Sequence, residues 1–232
     1  MRWFGGLVVV LILTGCQAGP GEPQQAASPP PSALATADAL PSAGDPASPA
    51  SLAPAPPATT PPALSAEAQA QLDQDLIAAA KANNAPLVSQ LIARGGNVNA
   101  KDAIQDSAFL YAGAEGFNEV LQLTLAAGAD VASTNRYGGT ALIPASEHGH
   151  VETVQILIGA GVPVNHVNNL GWTAMQEAIL LNNGGPRQQE VVRRLLAAGA
   201  DPNIRDPQGR TALQNAERLG FGEIATLIRA RG

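Results

Sequence analysis

A glycine recurs at Gly95, Gly128 and Gly161, 33 residues apart each time, and returns at Gly199 after 38. A second series keeps the same interval: Gly138, Gly171 and Gly209 are separated by 33 and then 38 residues. Self-similarity at this period predicts a stacked array of short structural units. One such unit cannot bury its apolar face alone, so neighbours must stack. The product is a long surface suited to another macromolecule rather than a closed catalytic pocket.

The array does not occupy the whole chain. The first sixteen residues read Met-Arg, a mostly apolar run from Trp3 to Leu13, then Thr14-Gly15-Cys16. One positive charge, a short apolar core and small residues before a cut describe a secretory signal over residues 1–15. Eleven residues of helix would rise only about 16 Å, half the hydrocarbon thickness of a bilayer. Leu13-Thr14-Gly15-Cys16 resembles the bacterial lipobox. That resemblance implies cleavage before Cys16 and acylation of its thiol and new amino group. Cys16 is the only cysteine, so no disulfide forms within the chain, and a lone cysteine at the cut is best read as a lipid attachment point. Gln17 follows where the enterobacterial sorting pattern uses aspartate for inner-membrane retention, which suggests an outer-membrane protein facing the periplasm.

Residues 16–64 form a different polymer. Thirteen of the nineteen prolines fall here, among Ala, Ser, Gly and Thr, with Glu22, Asp38 and Asp45 as the acidic residues. Pro-Pro-Pro at 29–31 and Ala-Pro-Ala-Pro-Pro at 53–57 hold neither a helix nor a central strand. Too little apolar area is available to offset ordering entropy, so a disordered tether is expected. As a coil it would span on the order of 40 Å.

From about Ser65 to Gly232 the chain resembles the ankyrin-repeat family. The clearest unit reads Asn135-Arg136-Tyr137-Gly138-Gly139-Thr140-Ala141-Leu142, then Ala145, Gly149-His150, Val154, Leu157-Ile158, Gly161 and Asn165. The resemblance implies a mostly α solenoid of about five helix-turn-helix units with β-turn or hairpin connections, at roughly 69–101, 102–134, 135–167, 168–205 and 206–232. The residue types support that register. Ser107, Thr140, Thr173 and Thr211 are expected to cap the first helix of their units. Phe109, Leu142, Met175 and Leu213 are expected in the core. Val120-Leu121, Val154, Val191-Val192 and Ile224 open apolar stripes, which Leu125, Leu157-Ile158, Leu195-Leu196 and Leu227-Ile228 extend. The recurring glycines end the second helices in the left-handed conformation. Asn99, Asn165 and Asn203 are expected to pin the next turn, a series that Ala132 breaks. The five extra residues of the fourth unit, around Asn182-Asn183-Gly184-Gly185-Pro186, predict a longer loop between its two helices.

No catalytic constellation accompanies the array, and no enzyme, metal or cofactor is expected. Gly149-His150 coincides with a family position whose histidine is structural, and Ser146-Glu147-His148 are helix neighbours that do not face one another. His166 sits near a junction between units and is expected to be hydrogen-bonded there. Without Arg2 of the signal the chain has 12 basic against 19 acidic side chains, so nucleic acid is not an expected partner. Charge is uneven: residues 67–177 hold eleven acidic and four basic residues, whereas residues 187–232 hold eight arginines and five acidic residues.

The resemblance further implies binding of a protein partner through a concave face of turn tips and first helices. Matching positions are Ile104, Asp106, Glu115, Arg136, Tyr137, Glu147, His148, Leu170, Trp172, Leu180, Leu181, Gln208, Arg210 and Arg218. Tyr137 and Trp172 stand out, because tyrosine, tryptophan and arginine dominate interface energetics. The expected protein is a lipid-anchored, cell-envelope binding module. The alternative is a periplasmic scaffold, inhibitor or immunity-type protein that restrains or protects an enzyme or toxin.

Overall fold

Ser65 is the N-cap of a 16-residue helix, its hydroxyl accepting from the Ala68 amide. The computed structural model describes residues 64–231; Cys16 and residues 17–63, with the expected signal, lipid site and tether, lie outside the described residues. Ten helices follow within that range, with no strand among the described residues: α1 (Ala66–Lys81), α2 (Ala85–Ala93), α3 (Ala108–Glu115), α4 (Asn118–Ala126), α5 (Leu142–Glu147), α6 (Val151–Gly159), α7 (Ala174–Leu180), α8 (Pro186–Ala197), α9 (Ala212–Arg218) and α10 (Gly222–Arg229). They pair as antiparallel hairpins. First helices stack in the order α1, α3, α5, α7, α9, and second helices in the order α2, α4, α6, α8, α10. The result is two helical layers whose order in space is the order in sequence.

Between the layers runs one continuous core. Phe109, Leu142 and Met175 are fully buried, as are Val120, Leu121, Val154, Leu157, Val191, Val192, Leu195 and Ile224. Each such side chain contributes roughly 1.5–3 kcal/mol relative to exposure. Leu213 departs from expectation. It is only half-buried, because within the described residues no further unit covers the outer side of α9. In α4 the inward position after Leu121 is Thr124 rather than Leu125. Thr124 is buried and satisfies its hydroxyl by donating to the Leu121 carbonyl at 2.8 Å, while Leu125 is half-buried at the flank.

Gly95, Gly128, Gly161 and Gly199 close the second helices at positive φ between 84° and 94°. Ser107, Thr173 and Thr211 cap α3, α7 and α9 through their hydroxyls, the latter two in full capping boxes with Gln176 and Gln214. Thr140 does not cap α5, against expectation. In the capped units the cap carbonyl accepts from the amide four residues on, as in Tyr111 N to Ser107 O at 3.0 Å and Glu177 N to Thr173 O at 3.0 Å. The equivalent residue in the third unit is Pro144, which has no N–H. The Thr140 carbonyl therefore accepts from Ile143 at 3.1 Å, a tighter turn. The helix starts at Leu142 with no side-chain cap, and the Thr140 hydroxyl is buried without a partner.

The insertion in the fourth unit is also shared differently from expectation. Residues 181–185 lengthen the loop, and α8, opening on Pro186, has 12 residues where α4 and α6 have nine. Proline at the first turn and favourable residues after it allow the helix to take up part of the insertion.

Asn99 and Asn165 lock successive units together. Asn99 donates to the Gly128 carbonyl at 3.1 Å and accepts from the Asp130 amide at 2.8 Å. Asn165 repeats this clamp with the Gly199 carbonyl at 3.4 Å and the Asp201 amide at 2.8 Å. At the intervening junction Ala132 has no amide to offer, and the residue in register with Asp130 and Asp201 is Pro163, which has no N–H to give. Both halves of the clamp are missing together.

Candidate functional site

Each turn tip is organised by one short polar side chain. Asp102, Asn135, Asn168 and Asp206 each accept, through Oδ1, the backbone amides two and four residues ahead at 2.8–3.0 Å. Their own amides donate to the carbonyl four residues on, at Asp106, Gly139, Trp172 and Arg210. This Asx geometry turns the chain back within five residues and projects the residues between. The penultimate tip position has positive φ in every case. It is Gly138, Gly171 and Gly209 in three units but Gln105, at 67°, in the second.

The tips and first helices of the second, third and fourth units enclose a groove of about 410 Å³. Leu110, Ala114, Ile143 and Pro144 supply apolar surface, and Tyr111 and Tyr137 supply aromatic surface. Tyr137 is 52% exposed, Leu170 51% and Leu181 47%, so three large apolar side chains from two neighbouring units reach solvent around one concavity. The Arg136 guanidinium stacks 4.9 Å from the Tyr137 ring centroid and lies 3.5 Å from Asp106.

Asp106 belongs to an ion cluster. Lys81, at the end of α1, reaches Asp102 at 2.6 Å and Asp106 at 3.5 Å, with its ammonium 5.3 Å from the Tyr111 ring centroid. Partial burial opposes the Lys81 charge, but the two aspartates outweigh it and raise its pKa. Burial likewise opposes the Asp102 carboxylate, and the Lys81 bond and two backbone amides bring its pKa below the usual value.

The other side of the groove is acidic. Glu115, Glu147 and Glu177 line it, and none is in an ion pair among the described residues. Glu177 is 5% exposed. Burial, then the neighbouring Glu147 charge, push its pKa up to about 7, against the Asn168 hydrogen bond and His148. His148 holds its ring by donating from Nδ1 to the Ala114 carbonyl at 2.8 Å. The His150 ring, 5.5 Å from it, lies against Gly116. A Cβ at position 116 would sit 2.9 Å from that ring, so His150 packs one unit onto the previous one. Burial, then His148, lower its pKa. His166 bonds the Gly138 carbonyl from Nε2 at 2.6 Å.

The residues expected to bind a partner therefore divide. Arg136, Tyr137, Glu147, His148, Leu170 and Leu181 share the groove; Trp172, Leu180 and Arg210 do not line it. Trp172 is half-buried, and its indole Nε1 is buried with no hydrogen-bond partner. Leu180 is half-buried at the end of α7. Arg210 is held at its own tip by Asp206 at 3.3 Å and Gln208 at 3.1 Å. Sequence reading missed Tyr111 and Glu177 as groove residues, and Lys81 as the ion partner of Asp102 and Asp106. For Glu177 a signal was present: Asn168 and Glu177 are nine residues apart, as are Asp206 and Asn215, with amide and acid exchanged.

A two-layer helical array that gathers exposed side chains from successive tips into one groove defines a repeat-type protein interaction module. Comparison with known proteins agrees. A family model for ankyrin repeats in three copies matches residues 76–166 and 109–206. An ankyrin repeat domain from Acinetobacter baumannii AYE is 58% identical, with a TM-score of 0.67, over 68% of this chain and 80% of that one. The ankyrin repeat protein EF0377 is 39% identical, with a TM-score of 0.64, over 66% of this chain and 78% of that one. A stretch of 56 residues is 50% identical to the ankyrin repeat protein YahD of Escherichia coli (strain K12), covering 24% of this chain and only 28% of that relative. The chain belongs to the ankyrin-repeat family, whose repeats are protein–protein interaction modules.

Proposed function

We propose that this chain is a lipid-anchored cell-envelope protein that binds another protein through the groove of its second, third and fourth units. One observation carries the binding face: Tyr137, Leu170 and Leu181 are exposed around a single concavity although they come from different units. Large side chains that give up water on contact supply most interface energy. The anchor rests on Leu13-Thr14-Gly15-Cys16, and two or more acyl chains at Cys16 would hold the protein stably at a membrane. Outer-membrane placement rests on Gln17. An array anchored at that membrane would face the periplasm.

Crosslinking in intact cells, followed by purification from solubilised envelopes, tests this reading. Wild-type protein should capture a defined partner, and the double variant Tyr137→Ala with Leu181→Ala should lose it while keeping its melting temperature. Undiminished capture by that variant would move the interface elsewhere. A captured toxin or enzyme whose activity falls on binding would favour the restraining role over simple tethering.

A further inference from the structure

The groove has an acidic wall with no cation of its own. Asp106 is already engaged by Lys81 and Arg136. Glu115, Glu147 and Glu177 have no basic partner among the described residues. Glu177 is the informative member. It is 5% exposed, its Oε1 takes the Asn168 amide at 2.7 Å, and the hydrogen bonds among the described residues leave Oε2 without a donor. A largely buried carboxyl group with one oxygen bonded and the other free at an open groove can accept a donor that binding brings.

We propose that the groove receives a basic side chain, a lysine or arginine of the bound protein, placed against Glu177 and Glu147 with its aliphatic stem over Ile143 and Leu181. The proposal rests on the reading of this groove as the binding face. Its ground is charge complementarity: the unpaired side chains of the groove are acidic, and its one arginine is committed to Asp106 and Tyr137. An anionic segment would meet three carboxylates, and such juxtapositions exclude partners as effectively as attraction selects them. A long basic side chain fits both features of the site, since its stem covers apolar surface while its head makes charge-assisted hydrogen bonds.

The same geometry makes recognition depend on pH. Glu147 and His148 face Glu177 from the end of α5, and Asn168 faces it from the tip of its own unit; no charge on α8 or α9 acts on it. Near neutral pH about half of the free protein holds a proton on Glu177, and an arriving cation must displace it. Apparent affinity should therefore rise by about tenfold from pH 6 to pH 8 as the carboxylate is freed.

Amide NMR of the full chain, titrated with N-acetyl-arginine methylamide, N-acetyl-lysine methylamide and the uncharged isostere N-acetyl-citrulline methylamide, tests the proposal. The two cations should give saturable shifts centred on His148, Asn168, Glu177 and Leu181, and citrulline should give none. Glu177→Gln should weaken arginine binding about tenfold at pH 8, and its melting temperature at pH 5 should match that of wild type. Glu147→Gln, on a half-exposed residue, provides the same readout should Glu177→Gln perturb the fold. Equal shifts from citrulline and arginine would overturn the basic-side-chain proposal while leaving the groove as the binding face. No saturable shift from either cation would overturn the basic-side-chain proposal alone, whereas shifts confined to other surfaces would overturn both.

Discussion

Asn168 donates to Glu177 across 2.7 Å, and one unit later the pair is exchanged: Asn215 donates to Asp206 across 2.8 Å. The same tip-to-helix contact thus carries its acid on the helix in one unit and on the tip in the next, with opposite consequences. Asp206 is buried too, but Asn215, two bonds from Arg210 and the Arg210 charge bring its pKa below the usual value. Glu177 has one amide donor and a neighbouring carboxylate, so its pKa rises to about 7.

Glu177 should make stability fall with pH. Between its ordinary value of 4.5 and about 7, the folded state holds a proton that the unfolded state has released, so unfolding becomes easier as pH rises through that window. His150, with its lowered pKa, acts in the opposite sense below its ordinary value, so the informative quantity is a difference between proteins. Glu177→Gln should be more stable than wild type by about 2 kcal/mol at pH 8 and nearly equal to it at pH 5. Urea denaturation at the two pH values checks this; a gap that does not change with pH would refute it.

Pro144 removes the cap of α5, so replacing it should restore one. Pro144→Ala returns an N–H to the Thr140 carbonyl and lets the Thr140 hydroxyl reach the Ile143 amide, for a gain of about 1 kcal/mol. In the wild-type background Thr140→Val should cost little, whereas Thr173→Val should cost about 1 kcal/mol or more because it breaks a full capping box. Thermal denaturation of the three variants distinguishes these outcomes.

Removing the Asn165 clamp should loosen the joint between the third and fourth units. Asn165→Ala is expected to cost about 1–2 kcal/mol, with faster hydrogen exchange at the Asp201 amide. Ala132→Asn should recover only part of that at the preceding joint, because Pro163 has no N–H for the new carbonyl to accept.

Trp172 and Tyr137 should separate into two classes. Trp172→Ala is expected to lower stability by about 2 kcal/mol through lost packing of its half-buried ring. Tyr137→Ala should leave stability nearly unchanged and weaken partner binding by about 2 kcal/mol or more. Denaturation and partner titration on both variants check the pair. A stable Trp172→Ala protein with lost binding would return Trp172 to the interface.

Cys16→Ser should abolish incorporation of a palmitate analogue and release the protein from membranes. Full labelling of the variant, or wild-type protein that washes off in buffer, would remove the lipid anchor.

Much of this architecture follows from sequence alone, because its determinants are local and repeat. A glycine recurring at 33 and once at 38 residues, hydroxyl caps before alanine and paired apolar positions specify most helix starts, stops and buried faces within one unit, and similar units stack through the same faces. What tertiary structure decided depends on neighbours between units. Pro144 silences the Thr140 cap because both face the same turn. Trp172 lies at a tip position like Arg210, yet its half-buried side chain does not line the groove. Glu177 reads as one charge among many until folding places it against Asn168 and Glu147 with little water, and desolvation, which no single residue carries in its name, then sets its protonation.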